Sequence, residues 1–338
     1  MQSLLSKLLP LLLFIGTLEA RFSSAEVKSG LPNCVSRTIL VDKSGLANFT
    51  SVQQAIDSIP SNNLLWTRIL ISSGTYIEKV EIPREKPYII LEGNPNGPTT
   101  IEYGDAGNVV GSPTFKLQAD NFIARHVTFK NTYNTLLKLD DEVRNVTWAP
   151  AAAIAGDKAS FYQCGFISLQ DTLSDARGRH YFYDSYVEGA IDFIWGNGQS
   201  MYEKCQINST TSRIGRAGFI TAQGRESANE TTGFVFKHCY VSGSGPIFLG
   251  RSYRNYSRVL FAGTYMEDII TPEGWNLPSW SVGSEDLITF SEANCSGPGA
   301  NMSYRVKWEK QLSHQELMHL TNTTDFINQE GWIDEQPN

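Results

Sequence analysis

Residues 161–164 read Phe-Tyr-Gln-Cys, and related segments follow at 182–185 (Phe-Tyr-Asp-Ser), 202–205 (Tyr-Glu-Lys-Cys) and 236–239 (Phe-Lys-His-Cys). Their first residues are 21, 20 and 34 positions apart. A period near twenty residues, with strand-like units and no helix between them, is typical of a solenoid of β-coils. We therefore expect an all-β fold, a right-handed parallel β-helix, in which the 34-residue interval carries an inserted loop. An ordinary β-sandwich with coincidental spacing is the alternative.

Short strands bounded by Gly, Asn, Asp or Pro surround the repeat, and helices are predicted only near the two ends of the chain. Near the N-terminal end, the apolar residues between 52 and 59 share one helical face, and Pro60 ends that helix. Near the C-terminal end, the spacing of Ser313 and Glu316 fits a capping box at the start of a helix. The predicted strands outside the repeat are 38–41, 68–71, 88–91 and 122–129.

Composition and charge narrow the class of protein. The chain has 338 residues, of which 41% are apolar and 19% are charged. It is therefore too apolar for a disordered chain, and its apolar stretches are too interrupted for a membrane bundle. The net charge is −7 and there is no run of Lys or Arg, so we expect no nucleic-acid partner. No linker or charge block divides residues 26–338, which indicates a single domain.

Residues 1–25 have the layout of a cleavable secretory signal peptide. Lys7 precedes an apolar run from Leu8 to Leu18, and small residues follow up to Ala25. This run is too short to span a bilayer, which needs about 20 apolar residues. We therefore expect cleavage after Ala25, secretion to the extracellular space and no membrane anchor.

Glycosylation signals and cysteines fit this secretory route. An odd number of cysteines, five, leaves at least one thiol free or paired outside the chain. Asn-x-Ser/Thr sequons, the acceptors of N-linked glycans, occur at Asn48, Asn145, Asn208, Asn229, Asn255, Asn294, Asn301 and Asn322.

The repeat also places two carboxylates in equivalent positions. Asp171 lies seven residues after Cys164, and Asp192 lies seven residues after Ser185. Two carboxylates stacked on successive coils repel each other, so they do not ionise equally, and a nearby cation decides which one stays charged. We therefore interpret them as an acid–base pair; for either residue alone, a turn-forming or solvated Asp is the simpler interpretation.

The sequence lacks the motifs of several other common active sites and cofactor-binding sites. There is no Gly-x-Ser-x-Gly nucleophile elbow, no phosphate-binding loop and no dinucleotide-binding glycine pattern. The five histidines do not have the spacing of metal ligands. We expect neither a metal ion nor a cofactor.

Four motifs in order resemble those of the plant-type pectinesterases (pectin methylesterases), and the resemblance runs from about Thr38 to Trp332. The motifs are Gly74-Thr75-Tyr76-Ile77-Glu78, Gln170-Asp171-Thr172-Leu173, Asp192-Phe193-Ile194-Trp195-Gly196 and Leu249-Gly250-Arg251-Ser252-Tyr253. Two of them depart from the family pattern, with Trp195 in place of Phe and Ser252-Tyr253 in place of Pro-Trp. The resemblance implies a right-handed parallel β-helix, and it covers the catalytic domain without the N-terminal inhibitor-like region of some relatives.

The resemblance also implies roles for individual residues. Asp192 would attack the ester carbonyl as nucleophile, and Asp171 would protonate the departing methanol and then activate water. Arg251 would lie against Asp192 and keep it ionised. Gln170 would donate its side-chain amide to the oxyanion of the tetrahedral intermediate.

One position of the implied oxyanion hole is changed. The family usually has a second glutamine where this chain has Trp148. Loss of one oxyanion donor costs about a hundred- to a thousandfold in rate. The indole Nε1–H is itself a donor, so Trp148 is interpreted either as a partial substitute or as a packing or sugar-binding residue.

Further residues are assigned by the same resemblance. Tyr253 and Trp275 are predicted to bind the saccharide, with a core position as the alternative for Trp275. Cys205 and Cys239 resemble a disulfide pair of the family, which leaves Cys34, Cys164 and Cys295 unassigned.

The leading functional hypothesis is a secreted enzyme that removes methyl groups from the homogalacturonan of cell-wall pectin. We expect a monomer, with a proteinaceous pectinesterase inhibitor as a potential partner. A pectin-binding protein impaired in catalysis by Trp148 is one alternative. A polygalacturonan depolymerase is the other, although the motifs of polygalacturonases and pectate lyases are missing.

Overall fold

The polypeptide winds into coils, and each full coil contributes one strand to each of three parallel sheets. The structure is a computed structural model and describes residues 34–134 and 146–338. The first sheet has ten strands: β1 (Val35–Val41), β2 (Trp66–Ile71), β5 (Ile89–Gly93), β8 (Phe122–Arg125), β11 (Ala159–Tyr162), β14 (Arg179–Tyr183), β17 (Gln199–Glu203), β20 (Gly233–Lys237), β23 (Arg258–Ala262) and β26 (Thr289–Ala293).

The other two sheets have eight strands each. The second sheet contains β4 (Val80–Ile82), β7 (Phe115–Leu117), β10 (Ala152–Ile154), β13 (Leu173–Asp175), β16 (Ile194–Gly196), β19 (Gly218–Gln223), β22 (Ile247–Ser252) and β25 (Trp275–Asn276). The third sheet contains β3 (Gly74–Ile77), β6 (Thr99–Tyr103), β9 (Thr128–Asn131), β12 (Gly165–Ile167), β15 (Tyr186–Gly189), β18 (Gln206–Thr210), β21 (Tyr240–Ser244) and β24 (Tyr265–Met266).

The aromatic repeat sets the register of the first sheet, as the sequence predicts. Phe161 pairs with Phe182, Phe182 with Tyr202, and Tyr202 with Phe236. Their rings stack inside the solenoid with centroids 4.9, 4.4 and 4.7 Å apart. Because the strands are parallel and in register, each coil places its aromatic ring on the ring of the coil before it.

The long interval before Phe236 does not contain one inserted loop. Its additional residues are divided between residues 211–217, which connect β18 to β19, and residues 224–232, which connect β19 to β20. The strands on either side keep their register, so the added residues lie at two corners of the coil and leave its strand pairing unchanged.

The predicted strand at 122–129 is wrong, because it is two strands, β8 and β9. The chain turns the corner between them at His126, whose φ of 55° is in the left-handed region. Gln163, Asp184, Lys204 and His238 have the same conformation at the matching corners of later coils. Non-glycine residues rarely adopt this conformation, so residue type gave no sign of the break.

The disulfide between Cys205 and Cys239 is not present in the structure, in which all five cysteines are free. Both residues follow a left-handed corner on adjacent coils, and both are buried. Each thiol instead donates to a backbone carbonyl of the preceding coil, Cys205 to Phe182 at 3.4 Å and Cys239 to Tyr202 at 3.2 Å. The two predicted cysteines therefore lie on adjacent coils, but they are not bonded to each other in the structure.

Helices occur near the two ends of the sequence, as predicted. Helix α1 (Val52–Asp57) starts at the N-cap Ser51 and buries its apolar face. Helix α2 (His314–Thr321) begins with the capping box of Ser313 and Glu316, and α3 (Thr323–Phe326) follows it. The apolar residues Leu320, Phe326, Ile327 and Trp332 pack on the outer face of the first sheet.

These elements form the right-handed parallel β-helix that the repeat predicts, and not a β-sandwich. Residues Cys34–Asn338 form one compact unit. The predicted signal peptide at 1–25 and the start of the predicted domain at residue 26 lie outside the described residues, so both stay predictions. In the described part of the chain, no helix has the length and apolar composition needed to cross a membrane.

Candidate active site

Asp171 and Asp192 occupy matching corners of adjacent coils, as the repeat predicts. Asp171 lies between β12 and β13, Asp192 lies between β15 and β16, and the preceding residues Gln170 and Ile191 form a parallel bridge. Both aspartates have left-handed backbones, with φ of 58° and 47°. Both are largely buried, with 7% and 8% of their surface exposed. The two carboxyl groups therefore lie in one partly desolvated place.

Arg251 on β22 holds Asp192 by a two-point ion pair. Its Nε donates to Asp192 Oδ1 at 2.7 Å, and its Nη2 donates to Oδ2 at 2.5 Å. Strand register explains this reach across coils, since Trp195, Ala222 and Arg251 are successive partners on β16, β19 and β22. Such fork-shaped contacts are the strong form of a charge-assisted hydrogen bond, and they favour the ionised carboxylate.

Asp171 has the opposite environment. Burial, together with the negative charge of Asp192, raises the pKa of Asp171 to about 8, and the charge of Arg251 only partly offsets them. A carboxyl group of this kind is protonated at neutral and acidic pH and can donate its proton. The two aspartates are thus a charged group and a neutral acid side by side.

A cavity of about 350 Å³ opens over the aspartates. It is lined by Val109, Trp148, Asp171, Asp192, Trp195, Ala222, Arg251 and Tyr253. Trp148 and Tyr253 are 50% and 38% exposed, so both present aromatic surface to a ligand. The predicted site residues Trp148, Asp171, Asp192, Arg251 and Tyr253 therefore meet in one cleft.

Sequence reasoning missed three residues of this cleft, Val109, Trp195 and Ala222. Trp195 Nε1 donates to the backbone carbonyl of Asp171 at 3.4 Å, which places its ring beside the acid. The available signal was the motif itself, because Trp195 stands there where the family has Phe. Val109 lies in a connection between β6 and β7, and no sequence pattern pointed to it.

Trp275 is not a cleft residue, so its assignment to substrate binding is wrong. Only 1% of its surface is exposed, and its ring stacks on Phe290 with centroids 4.6 Å apart. Trp275 pairs with Gly250, whereas Asn276 pairs with Arg251. Since alternate residues of a strand point to opposite faces, Trp275 points into the core when Arg251 points to the cleft.

Gln170 is half-buried next to Asp171, and it is not among the residues that line the cavity. Its role as oxyanion donor stays a prediction. Within the described ranges 34–134 and 146–338, no three His, Cys, Asp or Glu side chains are grouped as metal ligands.

The predicted glycosylation sites are mostly on the surface. Asn208 is half-buried and donates to Glu188 at 3.3 Å, and Asn145 lies outside the described residues. The exposed sites are Asn48, Asn229, Asn255, Asn294, Asn301 and Asn322. Glycan attachment stays a prediction at each of them.

Comparisons with known proteins agree with this fold. The pectinesterase family model matches residues 38–331. The chain is 45% identical to probable pectinesterase 29 of Arabidopsis thaliana over 302 residues, which are 88% of this chain and 89% of the relative. It is 42% identical to putative pectinesterase 10 of the same plant over 323 residues, 94% of this chain and 92% of the relative.

Solved structures show the same architecture. A pectin methylesterase from carrot superposes with a TM-score of 0.81 at 25% identity, covering 90% of this chain and 97% of the carrot chain. A pectin methylesterase from Aspergillus niger superposes with a TM-score of 0.75 at 25% identity, covering 89% and 96%. A β-helix with this cleft and these relatives is a carboxylic ester hydrolase. Within that class, the chain belongs to the pectinesterase family.

Proposed function

We propose that this protein hydrolyses the methyl esters of galacturonosyl units in pectin, releasing methanol and leaving pectate, with Asp192 as nucleophile and Asp171 as general acid and base. The observation that carries the proposal is the contrast between the two carboxyl groups. Arg251 holds Asp192 as a carboxylate. The pKa of Asp171 is raised to about 8, chiefly by burial, so Asp171 is protonated at neutral pH.

The first half of the reaction forms a covalent intermediate. An Asp192 carboxylate oxygen attacks the ester carbonyl carbon at C6, and the carbonyl electrons move to its oxygen. When the tetrahedral intermediate collapses, the bond to the methoxy oxygen breaks and Asp171 gives that oxygen its proton. Methanol leaves, and the galacturonosyl unit stays attached to Asp192 as an acid anhydride.

The second half returns the enzyme to its starting state. Asp171, now a carboxylate, removes a proton from water as the water oxygen attacks the acyl carbon. The bond to Asp192 breaks, which releases the galacturonosyl carboxylic acid and restores the Asp192–Arg251 ion pair. The released acid then loses its proton to solvent and becomes the carboxylate of pectate. Asp171 is protonated again and ready for the next ester.

Stabilisation of the oxyanion is assigned to Gln170 and Trp148. Trp148 lines the cavity and is half-exposed, which supports a role for its indole N–H as the donor that replaces the family's second glutamine. Tyr253 and Trp195 line the same cavity and supply aromatic faces on which a sugar ring can stack.

We further propose that the protein is secreted, glycosylated and active in the plant cell wall as a monomer that a proteinaceous inhibitor can cover. The N-terminal signal pattern and the exposed sequons support the secretory route. The curated plant relatives support the substrate.

The test is an assay of two products from the purified secreted protein. Methanol is measured on highly methyl-esterified pectin, and new reducing ends are measured on polygalacturonate, beside a pectin-binding measurement. The proposal predicts methanol without reducing ends. Reducing ends would identify a depolymerase, and binding without either product would identify the impaired binder in which Trp148 does not replace the glutamine.

A further inference from the structure

Two aromatic rings lie against the guanidinium group that holds the nucleophile. The central carbon of the Arg251 guanidinium is 5.3 Å from the ring centroid of Phe219 and 5.3 Å from that of Trp280. Both distances are within the range of about 6 Å in which a cation is attracted to an aromatic face. The same guanidinium uses its Nε and Nη2 edge for the two hydrogen bonds to Asp192.

Neither ring is part of the cavity wall. Phe219 lies on β19, where its ring stacks on Phe248 with centroids 5.4 Å apart. Trp280 lies in a single turn of 3-10 helix, Ser279–Ser281, after β25, and 59% of its surface is exposed. The residues that line the cavity over the aspartates include Arg251 but not these two. Their contact is therefore with the arginine and not with the space over the aspartates.

We infer that Phe219 and Trp280 are positioning residues of this active site, which fix the plane of the Arg251 guanidinium so that its fork stays aligned with Asp192. A guanidinium is planar and weakly hydrated on its faces, and those faces stack on aromatic rings while its edges donate hydrogen bonds. An aromatic contact on a face thus restricts rotation of the group without competing for the donors that bind Asp192. This inference deepens the proposed function and rests on it.

Arg251 acts on both aspartates, so its position affects catalysis in two ways. It pairs with Asp192, and its positive charge opposes the rise in the pKa of Asp171. If the guanidinium tilts away, the nucleophile loses its alignment and the pKa of Asp171 rises further. Substrate binding, which depends on the cavity wall, is not changed directly.

Trp280 is the side chain to remove, because it is largely exposed and its loss does not open the core. In Trp280→Ala we expect kcat for methanol release to fall about 2- to 30-fold, the range of a cation–π contact between exposed and desolvated settings, with little change in KM. We expect the basic limb of the pH–rate profile to move to higher pH. Trp280→Phe, which keeps a ring, should recover most of the lost kcat.

A second readout does not depend on turnover. The Nε–H signal of Arg251 in a ¹H–¹⁵N NMR spectrum, assigned by its loss in Arg251→Lys, should be sharp in the wild type and broadened in Trp280→Ala. Tyr304→Ala is the matched control, because Tyr304 is 75% exposed and lies outside the site. It should change neither kcat nor the Arg251 signal.

The outcomes separate this inference from the proposed function. An increase in KM with unchanged kcat would mean that Trp280 binds the polymer, and an unchanged Arg251 signal in Trp280→Ala would mean that it does not hold the guanidinium. Either result overturns the inference while leaving the esterase intact. A wild-type protein that releases no methanol overturns the proposed function, and the Arg251 signal still decides whether the rings fix the arginine.

Discussion

Two identical side chains acquire different chemistry here because their neighbours differ. Asp171 and Asp192 share the same corner of the coil, similar backbone angles and similar burial. Only Asp192 has a guanidinium along both carboxylate oxygens, so the negative charge stays there and the proton stays on Asp171. The repeat alone predicts the pair, but it does not assign the roles, because Arg251 comes from a strand 59 residues further along the chain.

The protonated state of Asp171 predicts the pH dependence of the enzyme. In the proposed mechanism methanol departs only if Asp171 carries a proton, and the pKa of Asp171 is raised to about 8, chiefly by burial. We therefore expect kcat/KM to be maintained at neutral pH and to fall as the pH rises through about 8. The measurement is the rate of methanol release between pH 5 and 10, corrected for alkaline hydrolysis without enzyme. An enzymatic rate that still rises above pH 9 would show that Asp171 is not the acid.

Strand positions and register can be predicted from the sequence where a core residue repeats. The corners between strands cannot, where they depend only on backbone conformation. The stacked rings at 161, 182, 202 and 236 fix both strand position and register. The corner at His126 was missed because left-handed corners in this fold use Asp, Lys, Gln and His as well as Gly. Trp275 was misplaced because in a strand of two residues, Trp275–Asn276, alternation has too few positions to show which side faces the core.

The coil that ends with β26 has an acidic pair that predicts how stability depends on pH. Glu309 Oε1 accepts a hydrogen bond from the Glu292 backbone N–H at 3.0 Å, and the Glu292 carboxylate is paired with Arg305 at 2.6 Å. Burial, with a further contribution from the charge of Glu292, raises the pKa of Glu309 to about 7. Folding therefore favours the protonated form of Glu309.

The folded protein binds the Glu309 proton more tightly than the unfolded chain does, and this decides how stability changes with pH. A carboxyl group whose pKa is higher in the folded state than its ordinary 4.5 stabilises the fold least when it is charged, so stability falls as the pH rises from about 4.5 to about 7. Glu309→Gln stays neutral and should increase stability at pH 7.5 by about 1 kcal/mol, with little gain at pH 4.5. Thermal melting at the two pH values checks this, with Glu85→Gln as the exposed control. Equal gains at both pH values would contradict the charge argument.

For the whole molecule, the solenoid is what brings distant residues together. Trp148, Asp171 and Asp192 come from three successive coils, and Arg251 and Tyr253 come from a coil two further along. Register places all five in one cleft. The motif order predicted all five. It could not predict Trp280, since a contact made from an exposed turn leaves no periodic signal in the sequence.

The net charge predicts how the protein behaves toward its own product. The chain carries a formal charge of −7, and pectate is a polyanion. Like charges repel, and this repulsion is strongest when little salt is present, since the screening length is about 30 Å at 0.01 M and about 8 Å at 0.15 M. We therefore expect weak retention on immobilised pectate at 10 mM NaCl, with no further loss at 150 mM. Tight low-salt retention that salt releases would contradict this account.

The carboxylate of Asp192 is the proposed nucleophile, and one substitution with a matched control tests this role. Asp192→Asn removes the nucleophilic charge, while Asp184→Asn makes the same change at an exposed left-handed corner with a φ of 48°. Methanol release from methyl-esterified pectin should fall by about a thousandfold or more in Asp192→Asn and by less than about twofold in Asp184→Asn. Release that persists in a folded Asp192→Asn protein would show that another group is the nucleophile.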